Sequence, residues 1–411
     1  MKMIDFSNRL TLASIWCIVL FSFVSLSASA LSHILIIIPI FLSLCLLYKN
    51  GEKIKFTKSM IFLGVMIFFC VLSVLFAPDI DNKFKQASKV KYFLLGLLGV
   101  FAYRNLFKVF KREQAKTMFN VFLVLIAIGN IAGIHALFDG FHYLRWKGAS
   151  DGSRAAGMYG MAITYGYGIE YIVILLTGLA VNFWSKLDQL VNKKLFVFAM
   201  ITCYLGMYFS YTRGALLAFV ISIPFLFILT KKKLFKVSMV AGLILVISLT
   251  TLVFSISDGN KSFGDNRFLL SAQNKSNLIR ISIYETVWEA FKEKPFTGWG
   301  YRNFEKNSFE IKRRHNIDYA DFGGHAHNNY LEILAGSGIF AFLSLLAFLT
   351  YWWREVWARA DDLTIILIPF LVSFLFSGLF QNTITDGENM FVIMFIYTVS
   401  QGISKKQKIF L

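Results

Sequence analysis

Apolar stretches of about twenty residues recur from one end of this chain to the other, and that recurrence limits its possible folds more than any single motif. A helix needs about 20 apolar residues to cross a ~30 Å hydrocarbon core. About twelve such runs are present, approximately 11–26, 31–48, 60–76, 90–106, 117–138, 161–184, 195–211, 214–230, 237–256, 330–353, 363–380 and 390–403. Hydrophobic side chains make up 56% of the 411 residues and charged ones only 16%, against about 25% charged in a soluble domain. Lipid is therefore the expected solvent. The chain reads as an all-α polytopic membrane protein, one integral membrane domain over 1–411 with about twelve transmembrane helices.

The net charge of +18 would suggest nucleic acid in a soluble protein, but its placement points elsewhere. Basic clusters follow alternate spans: Lys49 to Lys58, Arg104 to Lys116, Lys193 and Lys194, Lys231 to Lys233, Arg354 and Arg359, and Lys405 to Lys408. By the positive-inside rule those loops and both termini are cytoplasmic, with membrane lipid as the partner and no nucleic acid. Lys83, Lys85, Lys89 and Lys91 fall on the outer side instead, where 79–91 has the spacing of an interfacial amphipathic helix. The first apolar run is followed at once by another, so it reads as a retained anchor. Cys17, Cys45, Cys70 and Cys203 lie inside apolar runs, with no disulfide framework and no metal-ligand spacing.

One polar insertion interrupts the membrane pattern. Residues 257–328 form a large outer loop between the ninth and tenth spans, with charges of both signs. Within it, Leu278, Ile281, Tyr284, Val287, Trp288 and Phe291 recur at three- and four-residue spacing, which predicts an amphipathic helix over 277–294. Pro295 stops it and Gly298-Trp299-Gly300 turns the chain.

Candidate chemistry gathers on the outer face. Arg213 lies in the short turn Ser210-Tyr211-Thr212-Arg213-Gly214-Ala215 between two spans, where an ionisable group marks either a site or a headgroup anchor. Arg280 sits near Tyr284 on the amphipathic helix, and Arg154 in a smaller outer loop; a solvated helix face and a plain loop charge are the bland readings. Guanidinium forks suit phosphate oxygens. His325 and His327 precede the tenth span, next to Asn328. A His-x-His pair can ligate a metal, but no Cys or carboxylate at suitable spacing completes a set, so a neutral imidazole accepting a hydroxyl proton fits better. The bland alternative is a pair of capping, interface-anchoring residues. Asp386 in the last outer loop either orients the imidazole, pairs with an arginine, or caps the final helix. Without a Gly-rich phosphate motif, a lipid pyrophosphate suits the site better than a sugar nucleotide.

Between Ser210 and Phe340 these elements resemble the O-antigen ligase family of the O-antigen ligase and polymerase superfamily. The resemblance rests on Tyr-Thr-Arg-Gly-Ala, Ile-Arg-Ile-Ser-Ile-Tyr, Pro-Phe-Thr-Gly-Trp-Gly-Tyr, His-Ala-His-Asn-Asn-Tyr-Leu-Glu, and a Gly338 about nine residues beyond His327-Asn328. Ala341 departs mildly from the family pattern three residues after that glycine. The resemblance implies an inverting, metal-independent glycosyltransferase without a cofactor in the inner membrane. It would move polysaccharide from undecaprenyl pyrophosphate to a sugar hydroxyl of lipid A-core on the periplasmic face, in lipopolysaccharide biosynthesis. His327 would be the essential base and Arg213 and Arg280 would hold the pyrophosphate, with Arg154 a weaker candidate. Asp386 matches a functional acidic position, while His325, Asn328 and Tyr284 are secondary. The sister activity, O-antigen polymerase, shares several of these features. A transporter of the same lipid also suits twelve spans, but carriers concentrate ionisable residues near the midplane, whereas here they lie at one face.

Overall fold

A computed structural model describes residues 2–20, 30–49, 55–77, 79–139, 154–157, 161–229, 275–321 and 323–403. All regular elements among them are helical. The ninth predicted span and residues 257–274 of the expected outer loop lie outside the described residues. The remaining predicted spans overlap helices α1 (Lys2–Leu20), α2 (Ala30–Lys49), α3 (Lys58–Phe76), α5 (Lys91–Phe107), α6 (Arg112–Asp139), α7 (Ala162–Phe183), α8 (Lys193–Phe209), α9 (Arg213–Ile228), α12 (Asn329–Arg359), α13 (Asp362–Phe380) and α14 (Gly387–Gly402). Between them lie α4 (Lys83–Ala87), α10 (Lys275–Glu293) and α11 (Phe304–Arg314). Six segments, 58–76, 83–107, 112–135, 162–189, 329–359 and 362–380, are long and apolar enough to cross a membrane. The protein is thus a multi-pass membrane protein. Helices such as α8, at 17 residues, reach only about 25 Å.

The core is a bundle in which α3 packs on α12, α13 on α7 and α9, α14 on α5, and α6 on α8. Polar side chains join some of these helices: Tyr171 Oη and Ser377 Oγ lie 2.8 Å apart between α7 and α13, and buried Glu170 accepts from Ser373. Such interhelical bonds replace water that lipid cannot supply.

The interfacial helix expected over 79–91 is shorter than its spacing suggests. It begins at Lys83, after Asp79 with φ 57°, and passes at Ser88 into a 3-10 turn. Its backbone is recruited by tertiary contacts: Gln86 Nε2 donates to Tyr301 O at 2.8 Å and Lys306 Nζ to Asp79 O at 3.1 Å.

Helix α10 forms over nearly the expected residues but buries a different face. Ile279, Ile283, Val287 and Ala290 pack with Trp299, Phe304, Ile311 and Ala335, whereas Ile281 and Trp288 point outward at 49% and 56% exposure. Bulky apolar spacing overlooked the small polar residues on the buried face. Ser282 and Thr286 return their hydroxyls to Ile279 O and Ser282 O within their own helix, at 2.9 and 2.6 Å. So satisfied, they pack as small residues and let α11 approach.

Gly338 has a specific structural cause. Helix α12 breaks there, at φ 77° and ψ −177°, a conformation that favours glycine. The break frees backbone groups for the turn that follows α10: Ile339 N donates to Pro295 O and Trp299 N to Ala335 O, both at 2.9 Å. A Cβ at Gly338 would lie 2.3 Å from Phe296 O. The turn therefore docks backbone against backbone on a broken transmembrane helix.

Candidate functional site

The segment from His325 to Asn329 is held from three sides. Asn328 caps α12, its Oδ1 accepting from Tyr330 N and Leu331 N at 2.9 and 3.0 Å. Its Nδ2 donates to Leu379 O at 3.2 Å, at the end of α13. Asn329 Oδ1 accepts from Thr383 N and Ile384 N at 2.7 and 3.0 Å. Buried Glu332, one turn into α12, accepts from Ala326 N at 2.8 Å. Gly324 N donates to Ser308 Oγ of α11 at 3.0 Å.

This frame fixes both imidazoles. His327 adopts φ 47°, a left-handed conformation costly to most side chains, and its backbone N–H thereby reaches His325 Nδ1 at 3.1 Å. Its own Nδ1 lies 2.9 Å from Gln381 Oε1. The two rings sit 4.1 Å apart between centroids, tilted by 52°. Since His325 Nδ1 accepts, the proton of the neutral ring resides on Nε2. Since His327 Nδ1 faces a carbonyl oxygen, its Nε2 is the unprotonated nitrogen.

The electrostatics keep both rings neutral. Burial first, then the charges of Arg280 and Arg302, push His325 down to about 4. His327 is pushed down to about 4 by burial and by His325, with Arg280 adding to the fall and the Gln381 bond and Glu305 opposing it. Desolvation disfavours an imidazolium, and neighbouring guanidinium groups add repulsion.

The arginines expected at the site take different positions. Arg280 acts electrostatically on both histidines and on Arg213, which places these groups together. Arg213 is the first residue of α9 rather than part of the turn, which spans Ser210 to Thr212 with Tyr211 at φ 49°. Arg154 braces that turn, its Nε donating to Ser210 O at 2.8 Å and Nη2 to Thr212 Oγ1 at 3.1 Å. Tyr284 shares a side-chain hydrogen bond with Asn328, and burial raises its hydroxyl above the usual range.

Asp386 has other partners than the imidazole. It occupies the position before α14 without capping it by a side-chain hydrogen bond. Its Oδ2 accepts from Asn389 Nδ2 at 3.2 Å. Burial and Glu388 raise its carboxyl to about 7. The side chain that orients His327 is Gln381, 54 residues away in the chain. Sequence reading missed Gln381, because no motif surrounds it, and Arg302, although that residue directly follows the Gly-Trp-Gly-Tyr turn. Arg302 holds φ 56° and, like Arg280, makes no hydrogen bond or ion pair among the described residues. Among the described residues no three His, Cys, Asp or Glu side chains are grouped to hold a metal.

The arrangement therefore offers a fixed acceptor nitrogen, a fixed donor nitrogen and, among the described residues, unpaired charge on Arg280 and Arg302 near the N-terminal end of α12. Residues 196–346 match the family model described as O-antigen ligase. That segment carries Arg213, Arg280, Arg302 and both histidines, while Arg154, Gln381 and Asp386 lie outside it. No curated protein matches the chain. Through that segment the chain is similar to the O-antigen ligase family.

Proposed function

We propose, from the similarity of residues 196–346 to the O-antigen ligase family, that the protein is an O-antigen ligase of the inner membrane. It transfers polysaccharide from undecaprenyl pyrophosphate to a sugar hydroxyl of lipid A-core on the periplasmic face, with inversion and without a metal or other cofactor. In this reading about twelve helices span the membrane, both termini are cytoplasmic, and residues 257–328 form the periplasmic loop. The observation that carries the reading is His327, kept neutral by burial and aimed by Gln381, beside the charges of Arg280 and Arg302.

In the proposed reaction the acceptor hydroxyl gives its proton to His327 Nε2 as its oxygen bonds the anomeric carbon. The bond from that carbon to the pyrophosphate oxygen breaks, and the leaving group takes the electron pair. Negative charge then grows on the pyrophosphate, where preplaced cations act most strongly. Arg213 and Arg280 hold it, and Arg154 serves by fixing the turn that presents Arg213. Asp386 contributes to the same face of the protein as an acidic group that is readily protonated.

The test is transfer by the purified chain from lipid-linked polysaccharide to lipid A-core, with and without chelator. We expect transfer that chelator leaves unchanged. His327→Ala should lower it by roughly 10²- to 10⁴-fold, the usual contribution of a general base, without loss of folded protein. Near-normal transfer by that variant would remove His327 from the reaction. Extension of the lipid-linked chain instead of transfer to the core would make the protein a polymerase of the same superfamily.

A further inference from the structure

His325 has no role in the reaction just described, yet its geometry is as constrained as that of His327. Its Nδ1 is occupied by the His327 backbone N–H at 3.1 Å, so the ring presents Nε2–H on its opposite edge. Neither Nε2 has a hydrogen-bond partner among the described residues. The strained turn, with His327 at φ 47°, sets the tautomer of His325, and Gln381 sets that of His327. Burial beside two guanidinium groups keeps the ring uncharged, so it offers a hydrogen bond without adding a cation. An anion held by Arg213 and Arg280 beside Arg302 still has oxygens that need donors, and a planar N–H fixed near Arg280 and Arg302 meets that need.

We propose that the two histidines form a tautomer-locked pair, in which His325 Nε2–H donates to a phosphate oxygen of the leaving pyrophosphate while His327 Nε2 receives the acceptor proton. The inference rests on the transferase reading. His325 transfers no proton in it: it binds the departing oxygen and remains neutral throughout.

The two nitrogens of His325 can be separated by substitution. In His325→Asn the side-chain oxygen takes the place of Nδ1 and keeps the bond to His327 N–H, but the far N–H is lost. In His325→Gln the far N–H is kept and the near acceptor is lost. The full-length protein in detergent is titrated with inorganic pyrophosphate, with thermal unfolding as the check on folding and lipid-linked transfer measured in parallel. We expect His325→Asn to weaken pyrophosphate binding by roughly 10- to 100-fold, the worth of a hydrogen bond to a charged group. It should unfold at the wild-type temperature, and His325→Gln should bind more tightly than His325→Asn. Equal binding by wild type and His325→Asn, or weaker binding by His325→Gln than by His325→Asn, overturns the proposal in favour of a turn-holding role. Absence of saccharide transfer by the wild type overturns the transferase reading instead, and the pyrophosphate titration still decides the role of His325.

Discussion

At the scale of the residue, environment decides what the histidines can do. A surface imidazole titrates near 6.5; His325 and His327 are held near 4. A base works in its neutral form, so this fall extends its useful range toward acid. The groups facing the pair are Arg280 and Arg302 on His325, and His325, Gln381, Arg280 and Glu305 on His327. Transfer measured as kcat/KM should therefore stay level through the region of 6.5 and fall only as pH approaches about 4. Replacing Arg280 by Gln removes one repulsion and should move that fall upward, toward 6.5. A wild-type profile already falling at 6.5 would mean the ring is solvated. The His-Ala-His-Asn motif was legible in the sequence, but the state of its nitrogens was not. Those depend on a backbone angle, on burial, and on Gln381 from a distant loop.

At the scale of the element, the turn after α10 depends on a defect in a helix. Helix α12 is apolar and long enough to continue unbroken, yet Gly338 interrupts it so that Pro295 to Trp299 can bond its backbone. The glycine spacing in the sequence thus reflects a docking site for the turn after α10, and through it the placement of Arg280 and Arg302. Gly338→Ala combines a left-handed strain with a 2.3 Å approach to Phe296 O. It should destabilise the protein by ~2–4 kcal/mol, seen as a lower unfolding temperature in detergent and weaker transfer. An unchanged unfolding temperature would show that the turn is not fixed by this contact. Helix α10 teaches the converse lesson. Its existence and extent followed from periodicity, whereas its buried face was set by small residues whose hydroxyls bond within the helix.

At the scale of the whole molecule, the bundle brings together one end of several helices. Arg213 opens α9, His327 precedes α12, and Gln381 follows α13, so one end of the bundle collects the groups of the candidate site. In a chain whose four native cysteines are replaced, a cysteine at exposed Asp318 should react with an impermeant maleimide from the periplasm. One at exposed Arg354 should react only after the membrane is opened. The reverse pattern would invert the proposed topology. By itself the sequence determined that the chain is helical and built for lipid, because apolar length and charge alternation are local properties of the polymer. It also singled out a candidate stretch, since His327, Arg213 and Arg280 stand in recognisable motifs. Only the tertiary structure decided that Arg154 braces a turn, that Gln381 rather than Asp386 orients His327, and that Arg302 joins the site. The physical reason is that desolvation, charge repulsion and hydrogen-bond partnership depend on distances in space, which spacing along the chain does not specify.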